Sequence, residues 1–310
     1  MEKILVTGGA GYIGCVLVPA LLEKGYQVRV LDRLMYGGAG LLPHFLSPRF
    51  EFVKGDITDP ETVKSALSGC DAVIHLAAIV GFPACRKNPE LASKVNFEAT
   101  KLIADLNRRD RLVLFGSTGS NYGAVTDQMC TEETPLNPVS LYGQTKVAAE
   151  RYLMENTNAV AYRFATAFGL SPRPRLDLLI NDFVYQALRL KYLVVYESHF
   201  MRSFIHVYDI ARSFLFALAN AGKMTGQVYN MGSETMNYSK ADICKKIAAR
   251  VDCYLHCAVV GEDADHRNYM VCYEKIRYLG FETSISLDQG IDELVRGLQL
   301  LDVPNPYSNV

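Results

Sequence analysis

Tyr142 and Lys146 are the residues in this sequence best suited to moving a proton. On a helix, a spacing of four puts them one turn apart on the same face. A free phenol has a pKa near ~10, so a tyrosine base at neutral pH needs ~3 units, or ~4 kcal/mol, of help. One ammonium at ~4–5 Å in an effective dielectric of ~20 supplies about that much. With Lys146 and the positive charge of an oxidised redox cofactor beside it, Tyr142 could remove a hydroxyl proton as hydride leaves the same carbon. The spacing alone decides nothing, because it recurs by chance in a chain rich in both residues. Pro138 precedes this stretch, and Ser140 is placed to cap its helix. Upstream, Ser117 and Thr118 follow the apolar run Leu112–Phe115. Hydroxyls just past the carboxyl end of a strand sit where α/β folds place ligands, although polar turns use the same residues.

These groups need a cofactor and a frame, and Lys3–Gly14 (KILVTGGAGYIG) provides the signal for both. Ile4, Leu5 and Val6 read as a buried strand. Gly8, Gly9, Gly11 and Gly14 satisfy T-G-x-x-G-x-x-G and G-x-G-x-x-G together. The early glycines permit a tight strand-to-helix turn and close backbone approach to a pyrophosphate; Gly14 lets the next helix lie near the sheet. That helix N-terminus, with its free N–H groups and dipole, would hold the phosphates. Asp32 ends the next strand-like run and would bind the adenosine ribose hydroxyls, which favours NAD over NADP. Neighbouring Arg33 softens that preference.

The remaining chain fits this frame. Short apolar runs at Val28–Leu31, Phe50–Val53, Ala72–Leu76, Leu112–Phe115 and Val160–Phe164 suit buried parallel strands. Helical patterns at Tyr12–Glu23, Glu61–Leu67, Pro89–Asn107 and Leu141–Glu155 alternate with them, and Pro19 predicts a kink in the first. The alternation predicts an α/β doubly wound parallel sheet of Rossmann type. Past residue 165 the texture changes. Gly169–Arg175 is rich in proline and arginine, and 196–208 is mixed polar and aromatic. Asp209–Leu218 and Gln227–Met231 return to the main pattern, and helices follow at Lys240–Val251 and Leu287–Leu298. We therefore expect a NAD-binding domain at 1–166 plus about 203–231, interleaved with a smaller substrate-binding lobe at about 167–202 and 232–310. Substrate and cofactor should meet in the cleft between them.

Composition excludes several classes. The 310 residues are 49% hydrophobic and 21% charged, with a net charge of -1 and no long basic run, so nothing points to nucleic acid. Met1 leads almost directly into a strand, and no apolar run approaches the ~18 residues of a membrane span. The eight cysteines lack zinc-site spacing and read as reduced thiols. We expect no metal and a cytoplasmic location.

Taken together, these motifs resemble the extended short-chain dehydrogenase/reductases, in the branch of nucleotide-sugar epimerases and dehydratases. The likeness spans nearly the whole chain: TGGAGYIG, Asp32, Gly55-Asp56-Ile57, His75-Leu76-Ala77-Ala78, Ser117-Thr118, Tyr142-x-x-x-Lys146, Arg163-Phe164 and the stretch Arg202–Val207. The resemblance implies that Gly8, Gly11, Tyr12, Ile13 and Gly14 form the pyrophosphate turn. Asp56 and Ile57 would flank the adenine, with Leu76, Ala77, Ala78 and Ser117 along the cofactor. Asn96 would lie near the nicotinamide half. Thr118 would hydrogen-bond the reacting hydroxyl, Tyr142 would be the base, and Lys146 its partner and a ribose ligand.

The same resemblance implies a nucleotide-diphosphate sugar as substrate. Arg202 and Arg267 resemble arginines that clamp the diphosphate, a geometry that guanidinium forks suit; Arg175, and Arg173 beside it, could assist. Thr166 stands where many relatives carry a nucleotide-binding Asn. Dehydratase relatives carry Asp-Glu directly after the threonine, where this chain has Gly119 and Ser120, so 4,6-elimination lacks its acid and base. What remains is oxidation at sugar C4, as a 4-epimerase first, with a 4-dehydrogenase or ketosugar reductase as alternatives. The segments 171–183 and 197–202 resemble a subgroup that includes GDP-heptose 4-dehydrogenases. A non-enzymatic NAD(H) sensor on this fold would need neither the Tyr142–Lys146 pair nor the arginines. The resemblance also implies a homodimer, built by pairing the helices around 90–107 and 141–155.

Overall fold

A computed structural model describes residues 2–258 and 268–301. Among them, β1 (Lys3–Thr7), β2 (Gln27–Asp32), β3 (Phe50–Lys54), β4 (Ala72–His75), β5 (Leu112–Thr118), β7 (Asn158–Phe164) and β11 (Gln227–Met231) form one parallel sheet in the order β11-β7-β5-β4-β1-β2-β3. Smaller sheets take the other strands. β8 (Thr166–Phe168), β10 (Met201–His206) and β12 (Asn237–Ser239) make one; β6 (Ala124–Cys130) pairs with β14 (Asn268–Val271), and β9 (Tyr192–Val195) with β13 (Tyr254–Cys257). The large sheet has the doubly wound order predicted from the alternation of strands and helices. Its strand order reverses between β1 and β4, the switch point at which such sheets open a crevice.

Residue alternation divides the core. Ile4 and Val6 face Leu17, Val18 and Leu21 of the Gly14–Glu23 helix and Phe214 of the Val207–Ala219 helix. Leu5, between them, faces Val63 and Ile103 on the other side. Each such side chain contributes about 1.5–3 kcal/mol by leaving water, and burial on both faces explains why these strands read as unbroken apolar runs.

Helix starts are set by caps. Asp59 accepts from the Thr62 N–H at 3.1 Å, and Ser140 accepts from the Gly143 N–H at 3.2 Å, opening the Leu141–Asn156 helix. The first helix begins at Gly14, two residues later than its pattern suggested, and continues through Pro19 to Glu23. The run expected as one helix over 89–107 contains a π-helical turn at Lys94–Glu98. β5 extends through Thr118, so Ser117 and Thr118 end the strand instead of following it.

A second core forms around the Leu179–Leu190, Lys240–Ala248 and Leu287–Gly297 helices, including Phe168, Val184, Ile247 and Leu294. Phe204 of β10 also belongs to it. The Leu179–Leu190 helix and β10 were not apparent in the sequence pattern. Asp209 ties this lobe to the sheet. Fully buried on the Val207–Ala219 helix, its carboxylate accepts from the Ser284 N–H (3.0 Å), the Ile285 N–H (3.0 Å) and the Ser284 hydroxyl (2.8 Å), with Arg212 Nη1 at 2.6 Å.

Removing that carboxylate strands buried donors. Asp209→Ala should destabilise the protein by about 3 kcal/mol, read as a lowered Tm in thermal denaturation.

Candidate active site

The carboxyl ends of β1 to β5 and β7 converge on a cavity of about 930 Å³, roofed by the second lobe. Its floor is the glycine turn. Gly8 has φ +73°, and a Cβ there would fall 2.7 Å from the Ala77 nitrogen; no other residue type fits both constraints. A side chain at Gly14 would overlap the Gly9 carbonyl. Gly14 is therefore required by the turn itself, and Gly9 makes the close approach to the sheet, lying on the Val30 side chain. Gly8, Gly11, Tyr12, Ile13 and Gly14 all line the cavity.

Asp32 is partly buried on the same wall and is already engaged. Ala10 N–H donates to Oδ2 at 3.0 Å, and Leu34 N–H donates to Oδ1 at 2.8 Å. Burial raises its pKa, while those two N–H groups and the charges of Arg173 and Arg33 oppose the rise. Each oxygen keeps a second lone pair for a ribose hydroxyl. Arg33 pairs with Asp56 at 3.2 Å on the rim. Asp56, Ile57, Leu76, Ala77 and Ala78 line the groove beside them.

Asn96 does not line the cavity. It lies in the π-helical turn, buried, with Oδ1 accepting from the Ile79 N–H (2.8 Å) and Nδ2 donating to the Ile79 carbonyl (2.9 Å) and to Thr145 Oγ1 (3.3 Å). Its amide clamps a loop whose residues do face the cavity. Below, Thr7 donates to His75 Nδ1 (2.6 Å), His75 Nε2 donates to Thr100 (2.9 Å), and Thr100 donates to the Asn96 carbonyl (2.8 Å). The last bond fixes the direction of the others. Burial, reinforced by the Lys146 charge, drives His75 down to about 3, so it is a neutral spacer.

Thr118, Tyr142 and Lys146 line the far end together. Lys146 is buried, with Nζ 3.8 Å above the Phe115 ring. Burial pulls its ammonium down to about 7, and the Glu150 charge one turn further along opposes that fall. Glu150 is the centre of a buried network that the sequence did not reveal. Arg163 Nη2 donates to Oε1 at 2.7 Å and Arg163 Nε donates at 3.1 Å, while Ser117 Oγ and Asn121 Nδ2 donate to Oε2 at 2.5 and 3.2 Å. Arg163 also donates to the Tyr122 hydroxyl (3.1 Å), which donates to Asn230 Oδ1 (2.6 Å). The Ser117 hydroxyl is thus turned away from the cavity that the residue borders. Thr118 Oγ1 donates to Ser120 Oγ at 3.1 Å and accepts from the Ser120 N–H at 3.2 Å.

On the second-lobe side, Thr166, Arg175 and the buried Arg202 reach the same cavity. Arg175 is held by Asp177, with Nε donating at 3.0 Å. Arg267 lies outside the described residues. The sequence missed Tyr36, Asp182 and Tyr269, which line the cavity from loops and helices distant in the chain.

The match to the NAD dependent epimerase/dehydratase family model covers residues 4–232. The chain belongs to that family. This member is 30% identical to the UDP-glucose 4-epimerase of Bacillus subtilis, over 78% of this chain and 80% of that one. It is also 30% identical to the dTDP-glucose 4,6-dehydratase of Streptomyces niveus, over 94% of this chain and 91% of that one. The crystal structure of DesIV, a dTDP-glucose 4,6-dehydratase from Streptomyces venezuelae determined with NAD bound, superposes with a TM-score of 0.86 at 27% identity, covering 96% and 97% of the two chains. The protein is therefore an NAD-dependent enzyme of the extended short-chain dehydrogenase/reductase type, and the glycine cradle and half-free Asp32 oxygens fit that cofactor. When bound, NAD supplies the hydride acceptor. Among the described residues, no helix is long and apolar enough to cross a membrane.

Glu150 is open to test. A phenol base at Tyr142 would need a charged Lys146 beside it, and activity by that route would fall as pH rises through the Lys146 pKa. Glu150→Gln removes the charge that raises this pKa and should move the alkaline limb of kcat/KM to lower pH. It should also cost about 3–5 kcal/mol by leaving Arg163 without its partner. An unmoved limb in a folded variant would show that Glu150 has no hold on Lys146.

Proposed function

We propose that this enzyme oxidises the C4 hydroxyl of a nucleotide-diphosphate sugar and returns hydride to the opposite face, acting as a 4-epimerase. One observation carries the reading: Thr118, Tyr142 and Lys146 share one cavity with the glycine turn, while Gly119 and Ser120, next along the chain, carry no carboxyl group. Tyr142 removes the C4 hydroxyl proton and gives it back after the ketone has turned. Thr118 hydrogen-bonds the same oxygen, and Lys146 keeps the phenolate accessible. Arg202 and Arg175 bind the diphosphate, with Thr166 at the nucleotide. Asn96 acts through Ile79, positioning the loop beside the cofactor. Elimination across C5 and C6 needs an acid and base that the Gly119-Ser120 turn does not offer. Relatives of similar identity include both a UDP-glucose 4-epimerase and a dTDP-glucose 4,6-dehydratase, so the choice rests on the Gly119-Ser120 turn.

The test is a panel of UDP-, GDP-, CDP- and dTDP-sugars followed by NMR. An inverted C4 centre with no net NADH supports epimerisation; stoichiometric NADH and a released 4-ketose would make the enzyme a 4-dehydrogenase instead. Tyr142→Phe should retain NAD and lose at least about a thousandfold in kcat; near-normal turnover would remove Tyr142 from the role of base.

We further propose a homodimer in which the helices at 89–106 and 141–156 pair with their copies. Phe97, Leu102, Tyr152 and Met154 are only partly buried there, and Leu106 is exposed. Sedimentation velocity should give twice the 34.5 kDa chain mass.

A further inference from the structure

Two residues that come from opposite lobes meet over the cofactor groove. Tyr36 follows β2, and Arg173 belongs to the segment that leaves β8 for the second lobe. The Arg173 guanidinium carbon lies 4.3 Å from the Tyr36 ring centroid, and both side chains line the same cavity as Gly8, Gly11 and Asp32. We propose that Arg173, stacked on Tyr36, is a cofactor residue: it closes the groove over the adenosine half of NAD and sets how fast the dinucleotide leaves.

Tyr36 lies four residues past Asp32, and Pro172, next to Arg173, abuts Gly40 beside Cys15, which places this contact at the adenosine end. The Arg173 charge acts on Asp32, the ribose carboxylate, and on Cys15 beside the glycine turn. Its own pKa is lowered by burial and then by the neighbouring Arg175 charge, so the guanidinium gains from an aromatic face and from a nearby anion.

The segment that carries Arg173 is pinned on both sides. Ser171 Oγ donates to the Tyr12 carbonyl at 2.7 Å, and the Tyr12 hydroxyl donates to the Gly169 carbonyl at 2.7 Å. Asn181 Nδ2 donates to the Arg175 carbonyl at 2.9 Å and the Gly169 carbonyl at 3.2 Å. Pro172 abuts Gly40, where an added Cβ would lie 3.1 Å from the Pro172 Cβ and 2.6 Å from the Cys15 sulfur. Residues 169–175 therefore run as a bridge from the second lobe, across the pyrophosphate turn, to the loop after β2. The Arg173 N–H donates to Ser171 Oγ at 3.3 Å, so the backbone of the bridge is held, and its side-chain contact across the groove is the stacked pair. A dinucleotide resting on the glycine turn and on Asp32, which are hydrogen-bonded to each other, would leave only when guanidinium and ring separate. The inference rests on NAD binding alone and holds for either reaction at C4.

The experiment follows NADH release by stopped-flow fluorescence, displacing it with excess NAD; the chain has no tryptophan to complicate the signal. Arg173→Leu and Tyr36→Leu should each speed release by about tenfold, as expected for losing one desolvated cation–π contact. The double variant should be no faster than the faster single, because both remove the same contact. ADP-ribose affinity should fall by the same factor and nicotinamide mononucleotide affinity should not. Arg173→Lys, which keeps the charge without the planar fork, should fall between. Unchanged release in both single variants would overturn the proposal. So would a raised KM for the nucleotide sugar with normal release, which would place Arg173 with Arg175 and Arg202 at the substrate diphosphate.

Discussion

A carboxylate and a guanidinium buried side by side, Glu150 and Arg163, hold the catalytic end of this molecule in register. Their side chains are 3% and 7% exposed, so neither charge can be left to water, and each remaining hydrogen-bonding site must be filled by a particular neighbour. Ser117 and Asn121 fill those on Glu150; Tyr122 and the Glu132 carbonyl fill those on Arg163. The pair thereby joins β5, the Leu141–Asn156 helix, β7 and, through Asn230, β11. Thr118 lies next to Ser117, and Lys146 lies one turn before Glu150. The distance between strand end and helix face is thus fixed from beneath by this network together with the apolar packing of Ala149 and Leu153 against Val113 and Phe115.

The same arrangement carries an energetic tension. Burial favours a neutral Lys146, whereas acidifying a phenol requires a charged one. Glu150 opposes the effect of burial, and its own negative charge is largely answered by Arg163. Lys146 is left near its transition point around neutral pH, where small changes of environment shift its protonation.

Much of this was legible in the sequence, for a specific reason. Strands buried on both faces leave continuous apolar runs, and a turn built on Gly8 and Gly14 tolerates no substitute, so the sheet and its phosphate cradle are written locally. The second lobe is not. β10 reads as mixed polar because Arg202, Ser203 and His206 are buried with polar partners; His206, for example, meets Glu293 at 2.8 Å. The Leu179–Leu190 helix does carry a stripe at Ile180, Val184 and Ala187, but the adjoining proline–arginine run masks it. The π-helical turn at Asn96 has no sequence signature. Contacts such as Tyr12 to Gly169 join residues 157 positions apart, and no local pattern encodes them.

The lobes are threaded through one another: β11, an edge of the large sheet, is made only after the chain has supplied β8, β9 and β10, and the second core draws on residues both before and after it. During synthesis, β1 to β5 and β7 can assemble while β7 still lacks its outer neighbour. That exposed edge must wait for some 60 further residues, about 3–12 seconds at typical elongation rates, before β11 arrives to cover it. Until β11 arrives, β7 presents a bare parallel edge that is open to wrong pairing.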